Sequence, residues 1–398
     1  MKILHIEDFF HPDAGYQVNQ LSKLQSSTEN QIYIICADMN KTPVHLANFF
    51  GKENISNKDL QFYNDTGVTV IRAPVFGFYS GRAVYKPFQF IKILSKIDPD
   101  VALVHGESTL IAILLIIFSK YLKFPIILDS HMLDMASKNR FKRYFQIFYS
   151  NFITPIIIKK AIPLIRVVDS DFVEKNFKIP LNRTILLSFG TDTDYFKPNS
   201  TVRNLVRKVH GISLDCFLVL YAGKLDETKG GIFLAKALKN KIMSNKDVPI
   251  EFLIIGNNDA INKGELEELF SSSSNKIIRL DTQRYCDLAK FYQAADLVIF
   301  PKQCSMSFFE AQSCGIPVLF EDNEINCQRA NHNNAFIFNR NDAEDFRLQI
   351  SRISSIPEDE INLIKYNSRK FILDNFNYAP IAKKFTDILQ LEYLKFKK

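Results

Sequence analysis

Twelve short runs of apolar, mostly β-branched residues recur along this chain, with helix-like segments between them. They fall at 2–7, 32–37, 68–73, 101–105, 125–129, 164–169 and 184–189, then at 217–223, 250–256, 276–281, 296–300 and 317–320. Strands that are apolar on both faces belong in parallel sheets covered by helices on either side. The sequence therefore predicts an α/β chain, and its two series of strands predict two Rossmann-like domains. A length of 398 residues suits two domains better than one core. The turn-rich stretch "GTDTDYFKPNS" (190–200) lacks helical periodicity and marks the boundary, giving 1–195 and 196–376 as the two domains.

Composition narrows the function classes. With 46% hydrophobic and 23% charged residues the chain reads as an ordinary folded protein. Its six cysteines and seven histidines show no metal-ligand spacing, so reduced thiols in a cytoplasmic protein are expected, and no metal. The start "MKILHIEDFF" lacks the features of a signal peptide. The longest apolar run, "LIAILLIIF" (110–118), is too short to span a bilayer and reads as a buried helix. Residues 40–62 carry little strand or helix signal and are expected as a mobile excursion.

The net charge of +7 is unevenly placed: residues 81–160 hold twelve Lys or Arg against five Asp or Glu. Within them, "KNRFKRYFQIFYSNFITPIIIKK" interleaves basic and aromatic residues. A solvated basic helix face explains this plainly; a surface resting on anionic lipid head groups explains the aromatics as well. No nucleic-acid motif accompanies the patch, so nucleic acid is not expected as a partner.

In open parallel sheets, ligands bind beyond the carboxyl ends of the strands. After the first run stands Gly15, at a strand-to-helix turn where a ligand could approach the backbone, although no G-x-G-x-x-G is present. After the fifth come Asp129, His131 and Asp134. After "FLVLYA" come Gly223 and Lys224, and Lys229 precedes Gly230-Gly231; two lysines with glycines beside them suit a diphosphate, an exposed lysine pair being the plainer alternative. In "PKQCSMSFFEAQSCGIPVLF" (301–320), Ser305, Met306 and Ser307 are expected to open a helix with free backbone N–H groups. Glu310, one turn on, could accept hydrogen bonds from paired sugar hydroxyls.

Taken in order, "YAGKLDETKG", "EFLIIG", "YQAADLVIFP" and "FFEAQSCGIPV" resemble the donor-domain motifs of retaining family-four glycosyltransferases of the GT-B fold, of the bacterial surface-polysaccharide type. "LLSFGTDTDYFKP" is similar to that family's interdomain signature, while "DAGYQVNQLSKL" and "DSHMLD" match its first-domain motifs more loosely. The resemblance implies a GT-B fold, two Rossmann-like domains with parallel sheets facing across a cleft. The first would bind acceptor and be completed by C-terminal helices at about 377–398; the second would bind the nucleotide sugar. It implies transfer of a sugar from a UDP- or GDP-sugar to a glycan or lipid-linked acceptor, with no metal and no cofactor, at the inner face of the membrane. Lys224 and Lys229 would hold the pyrophosphate, Glu310 the ribose hydroxyls and His131 the transferred sugar. Gly15 would let the first-domain loop close over the phosphates.

Two departures stand out. Lys224 occupies a position where the family commonly has Arg, which keeps the charge but loses the bidentate fork. The first of the family's two glutamates falls on Lys302, so its role is unfilled or met by another acid, with Glu107, Asp129 and Asp134 as candidates. That gap motivates one alternative, a catalytically weak homologue that binds nucleotide sugar; a sugar-nucleotide epimerase on a similar scaffold is a further alternative, which the order of the motifs disfavours.

Overall fold

The computed structural model describes residues 1–26, 29–42, 54–131, 141–257, 263–302, 307–330 and 332–398. The chain forms two compact units, one of residues 1–189 with 378–398 and the other of residues 190–377. The break falls at the amino end of the turn-rich stretch.

The first unit contains a parallel seven-stranded sheet. Its strands are β1 (Lys2–Ile6), β2 (Gln31–Ala37), β3 (Thr69–Ala73), β6 (Val101–His105), β7 (Ile126–Ser130), β8 (Leu164–Arg166) and β9 (Thr184–Leu186), in the order β3-β2-β1-β6-β7-β8-β9. β6 and β7 are buried at every position, which accounts for their unbroken apolar runs. The second unit repeats the plan with β10 (Phe217–Ala222), β11 (Ile250–Ile255), β12 (Lys276–Leu280), β13 (Leu297–Phe300), β14 (Val318–Glu321) and β15 (Ala335–Phe338), in the order β12-β11-β10-β13-β14-β15. In both sheets the winding reverses beside the first strand, between β1 and β6 and between β10 and β13. Crevices for ligands open at such reversals.

Each predicted strand run forms a strand. Three elements escaped the sequence reading. β15 is a four-residue edge strand, mostly half-buried, and too short to show a pattern. β4 (Val75–Tyr79) and β5 (Arg82–Tyr85) form an antiparallel hairpin. Its turn residues Ser80 and Gly81 both have positive φ, and a Ser-Gly pair between apolar runs was the available signal. The third corrects the expected excursion: Ile55–Thr66 is a helix without a buried residue, and residues 43–53 lie outside the described set. A helix with no buried face gives the sequence no apolar stripe to read. The run at 110–118 does form a helix, Leu110–Ile117, with five residues buried, although Leu114 and Ile117 are exposed. Of the last two helices only Tyr378–Lys397 joins the first unit; Glu358–Asn375 belongs to the second.

One buried ion pair ties the second unit together at the amino edge of its sheet. Arg207, on helix Ser200–Val209, is fully buried and donates from Nη2 to Asp296 Oδ2 at 2.6 Å. It also donates to the carbonyls of Ala294 and Cys216, both at 3.0 Å. Asp296 accepts in turn from Arg203 at 2.7 Å and from the Leu218 N–H at 2.8 Å. A buried pair adds little over an apolar replacement, but breaking one leaves an uncompensated charge that costs about 3–5 kcal/mol. Asp296→Ala should therefore lower the unfolding free energy of the second unit by that order, read as a lower urea midpoint with little change in slope. A loss below about 1 kcal/mol would show that Arg207 finds other compensation.

Candidate active site

The turn after β10 is built by glycines that nothing else can replace. At Gly231 a Cβ would lie 2.1 Å from the Leu225 carbonyl oxygen. At Gly256, at the end of β11 with φ +137°, it would lie 1.8 Å from the Gly223 oxygen. The two chains pass so closely that only a bare backbone fits. Asp226 organises the turn between them, accepting from the Thr228 hydroxyl at 2.6 Å and from the Lys229 N–H at 2.9 Å. The Tyr221 hydroxyl donates to the Lys224 carbonyl.

Gly223, Lys224 and Lys229 thus share one turn at the carboxyl edge of β10, beside the reversal. Both lysines are half-buried, and not the exposed pair of the plainer reading. Lys302, in the family's glutamate position, packs over the same turn: a Cβ at Gly230 would lie 3.0 Å from its Cγ. A third cation stands where an acid was expected.

Glu310 lies on the next element, helix Ser307–Ser313, and is 5% exposed. Its Oε2 has no hydrogen-bond partner among the described residues. Burial pushes its pKa up to about 7, against the Tyr292 and Tyr285 hydroxyls, which favour the charge. Phe308 and Phe309 beside it pack on Phe376 and under Arg329, so the neighbouring aromatics are core. Ser307 begins the helix; Ser305 and Met306 lie outside the described residues.

At the reversal of the first sheet, three histidines gather around one acid. Asp129, fully buried at the end of β7, accepts from His105 Nδ1 and from His131 Nε2, each at 2.7 Å, and from the Gly106 N–H at 2.9 Å. His105 Nε2 lies 3.0 Å from His5 Nδ1, and His5 Nε2 lies 2.8 Å from Gln25 Oε1. Burial opposes charge on His131, yet the Asp129 carboxylate and its hydrogen bond hold this ring's pKa above the ordinary value. Burial would likewise raise Asp129, but His131 and His105 keep it well below the usual carboxylate range. His5 is driven down to about 3 by burial and by facing His105, so it stays neutral. Only the His131 side chain reaches solvent, at 30% exposure, with its ring 5.2 Å from that of Phe189.

Around this cluster stand three further acids, Asp8 and Glu107 buried and Glu7 half-buried. Burial lifts the carboxyls of Glu7 and Glu107, and takes Asp8 to about 7 with help from the charge of Glu7. Glu107 was a sequence candidate; His5, His105, Glu7 and Asp8 were not. The signal for the histidines was a polar ring inside an otherwise apolar strand. Asp134 lies outside the described residues, and Gly15 sits in the loop before helix Gln17–Ser26, without a positive φ.

Ligand atoms of His105, Asp129 and His131 lie within 4.8 Å of one another, near enough to hold an ion. These atoms already face each other as hydrogen bonds, and an ion would have to displace both His–Asp contacts.

Two parallel α/β units, each reversing its winding beside its first strand, define the GT-B class of fold. The solved structures agree: a glycosyltransferase from Rickettsia africae has a TM-score of 0.74 at 16% identity, covering 100% of this chain and 98% of its own. The Anabaena HepE protein in complex with UDP and glucose has a TM-score of 0.71 at 17% identity, covering 98% and 99%. Residues 216–355 match the family described as Glycosyl transferases group 1.

Among curated relatives, the Escherichia coli UDP-Gal:alpha-D-GlcNAc-diphosphoundecaprenol alpha-1,3-galactosyltransferase is 23% identical over 228 residues, 55% of this chain and 57% of that protein. The D-inositol 3-phosphate glycosyltransferase of Pseudarthrobacter chlorophenolicus is 29% identical over 136 residues, 33% of this chain and 32% of that protein. The chain thus spans from a third to under two thirds of the length of these relatives.

Two outcomes follow from the electrostatics. A carboxyl whose folded pKa is raised destabilises the fold as pH rises from about 4.5 to 7, because the unfolded chain ionises first. Glu310→Gln should therefore be more stable than wild type at pH 8, by on the order of 3 kcal/mol, with the gap closing near pH 4.5. Urea midpoints at the two pH values test this, and a gap that does not depend on pH would contradict it.

The raised His131 works the other way. Its pairing with Asp129 stabilises the fold fully below about pH 6.5 and is lost as pH rises through the folded value; at the acid end it is lost as Asp129 protonates. In Asp129→Asn, burial acts on His131 without the carboxylate, so an NMR titration should show its pKa fall below the ordinary value. An unmoved His131 would place its stabilising charge elsewhere.

Proposed function

We propose that this protein is a retaining, metal-independent glycosyltransferase that moves a hexose from a nucleotide-diphosphate sugar to a glycan or lipid-linked acceptor. The observation that carries the reading is the glycine-built turn at the reversal of the second sheet, with Lys224, Lys229 and Lys302 around it. Three cations at the carboxyl edge of a Rossmann-like sheet suit a pyrophosphate, and they supply positive charge to a leaving diphosphate without a metal. The enclosed Glu310 suits the ribose: a carboxylate oxygen without a partner among the described residues gains most from two hydroxyl donors.

His131 is the group that would meet the sugar, because it is the solvent-reaching end of the histidine cluster. Its charge, held by Asp129, would face the electron-rich oxygens of the sugar. Same-face transfer, with the diphosphate drawing the acceptor proton, fits a donor turn whose lysines would hold that diphosphate. The transition state would be oxocarbenium-like, as in glycosyl chemistry generally. The relatives' names, one a transferase to a diphosphoundecaprenol-linked sugar, support a polysaccharide-building role on a lipid carrier.

The exposed Phe141, Tyr144, Ile147 and Phe152, with Lys142, Arg143, Lys159 and Lys160 near them in sequence, support a peripheral contact with the inner membrane face. No helix among the described residues is long and apolar enough to cross a membrane.

Incubating the protein with UDP- and GDP-hexoses and an acceptor should release nucleotide diphosphate, with NMR showing the donor's anomeric configuration retained in the product. Lys229→Ala should weaken nucleotide diphosphate binding roughly ten- to a hundredfold, the worth of one charge-assisted bond to phosphate. Unchanged affinity by calorimetry would remove the pyrophosphate from this turn. Binding without turnover would favour the catalytically weak homologue, which the lysine in the family's glutamate position motivates.

A further inference from the structure

The second unit holds a second concave site, a cleft of about 730 Å³, at the opposite edge of its sheet. Its wall includes Ala295 and Ile316, which stand just before β13 and β14, whereas the Gly223–Gly231 turn follows the carboxyl end of β10. The intervening strands are four to six residues long. At ~3.3 Å per residue, roughly 15 Å of sheet separates the two sites.

Four cations line this cleft, Arg203, Lys365, Arg369 and Lys370, against a single acid, Asp374. Three have partners. Arg203 donates to the carbonyls of Ala294 and Ala295 at 2.9 and 2.8 Å and to Asp296. Arg369 donates to the carbonyls of Phe196, at 3.3 Å, and of Ser313. Lys370 pairs with Asp374 at 2.6 Å. The half-buried Lys365 differs: its ammonium makes no hydrogen bond or ion pair among the described residues. Burial holds its pKa below the usual value; Asp296 and Glu358 oppose this, while Arg203 and Arg207 add to it.

Arg369 is fixed by carbonyls alone, which leave its charge in place, and Arg203 shares the single carboxylate of Asp296 with Arg207, so one acid serves two guanidinium groups. The cleft therefore keeps a net positive charge, with Arg369 and the half-buried Lys365 lacking a carboxylate partner among the described residues. An anion among them would turn that repulsion into charge-assisted hydrogen bonds. Tyr366 and Leu373 supply apolar wall beside the cations, and the volume is that of a small-molecule site.

We propose that this cleft is a second ligand site, which takes a phosphate-bearing small molecule whose phosphate meets Lys365 between Arg203 and Arg369. It does not depend on the donor reading, because it shares no residue with the turn at the other edge.

The test uses the full chain carrying Lys224→Ala and Lys229→Ala, which removes lysines of the other edge. Inorganic phosphate is titrated by calorimetry against chloride at equal ionic strength. Binding should persist in this background, and adding Lys365→Gln should weaken it about tenfold or more, while Lys365→Arg retains it. Glucose 6-phosphate should bind at least as tightly as phosphate, and glucose should not bind. Lys365→Gln should melt no lower than its parent without phosphate, since it removes an unpaired, half-buried charge. If it does melt lower, the Lys365→Arg variant decides between support and rejection. Loss of phosphate binding in the starting background, equal affinity with and without Lys365→Gln, or equal binding of glucose would each overturn the proposal.

Discussion

Each parallel sheet of this protein reverses its winding at one place, and the placement of the candidate-site residues depends on that constraint. A parallel strand must return by a crossover, so the chain starts at a central strand, winds outward one way, and then crosses to wind the other. Beside that first strand the flanking helices diverge, leaving the strand ends open at the carboxyl edge. In the second unit this opening receives Gly223, Lys224, Lys229 and Lys302; in the first it receives the histidines around Asp129. The glycines at 231 and 256 follow from the same crowding, since backbone passes backbone there with no room for a Cβ.

Buried charge is handled in two ways. Arg207 and Asp296 are enclosed with their hydrogen-bonding capacity largely met, and they join a helix to the starts of two strands. Glu310, as deeply placed, keeps an oxygen without a partner among the described residues and titrates near neutrality. A structural acid would be expected to be satisfied as Asp296 is. The contrast between the two carboxylates, and not the burial of either, is what makes Glu310 the candidate for a ligand contact. Lys365 resembles Glu310 in this respect, since its ammonium also lacks a hydrogen-bond partner among the described residues.

Asp129 shows how one acid can order several rings. Each oxygen takes one histidine, which sets the orientation of His105 and His131 and fixes where protons are held. The charge it induces on His131 is directed to the one ring that meets solvent, while His5 behind stays neutral.

Much of this was legible in the chain itself. Strands buried on both faces carry unbroken apolar runs, so both sheets and their parallel sense could be read, and Gly223, Lys224 and Lys229 could be placed at the carboxyl end of β10 because they follow such a run directly. The hairpin at 75–85, the edge strand at 335–338 and the helix at 55–66 could not be read as readily, because a short or exposed element leaves little periodicity. The histidine cluster was beyond the sequence for a different reason. His5, His105 and Asp129 lie on three strands, with His5 and His105 alone 100 residues apart, and only the order β1-β6-β7 makes them neighbours. Likewise Lys302 reads as a loop lysine until the sheet lays β13 beside β10, and Arg203 and Lys365 are separate surface cations until two helices bring them to one cleft. Local pattern determined the elements, because burial acts residue by residue; tertiary structure decided the sites, because electrostatics acts between residues that the chain keeps far apart.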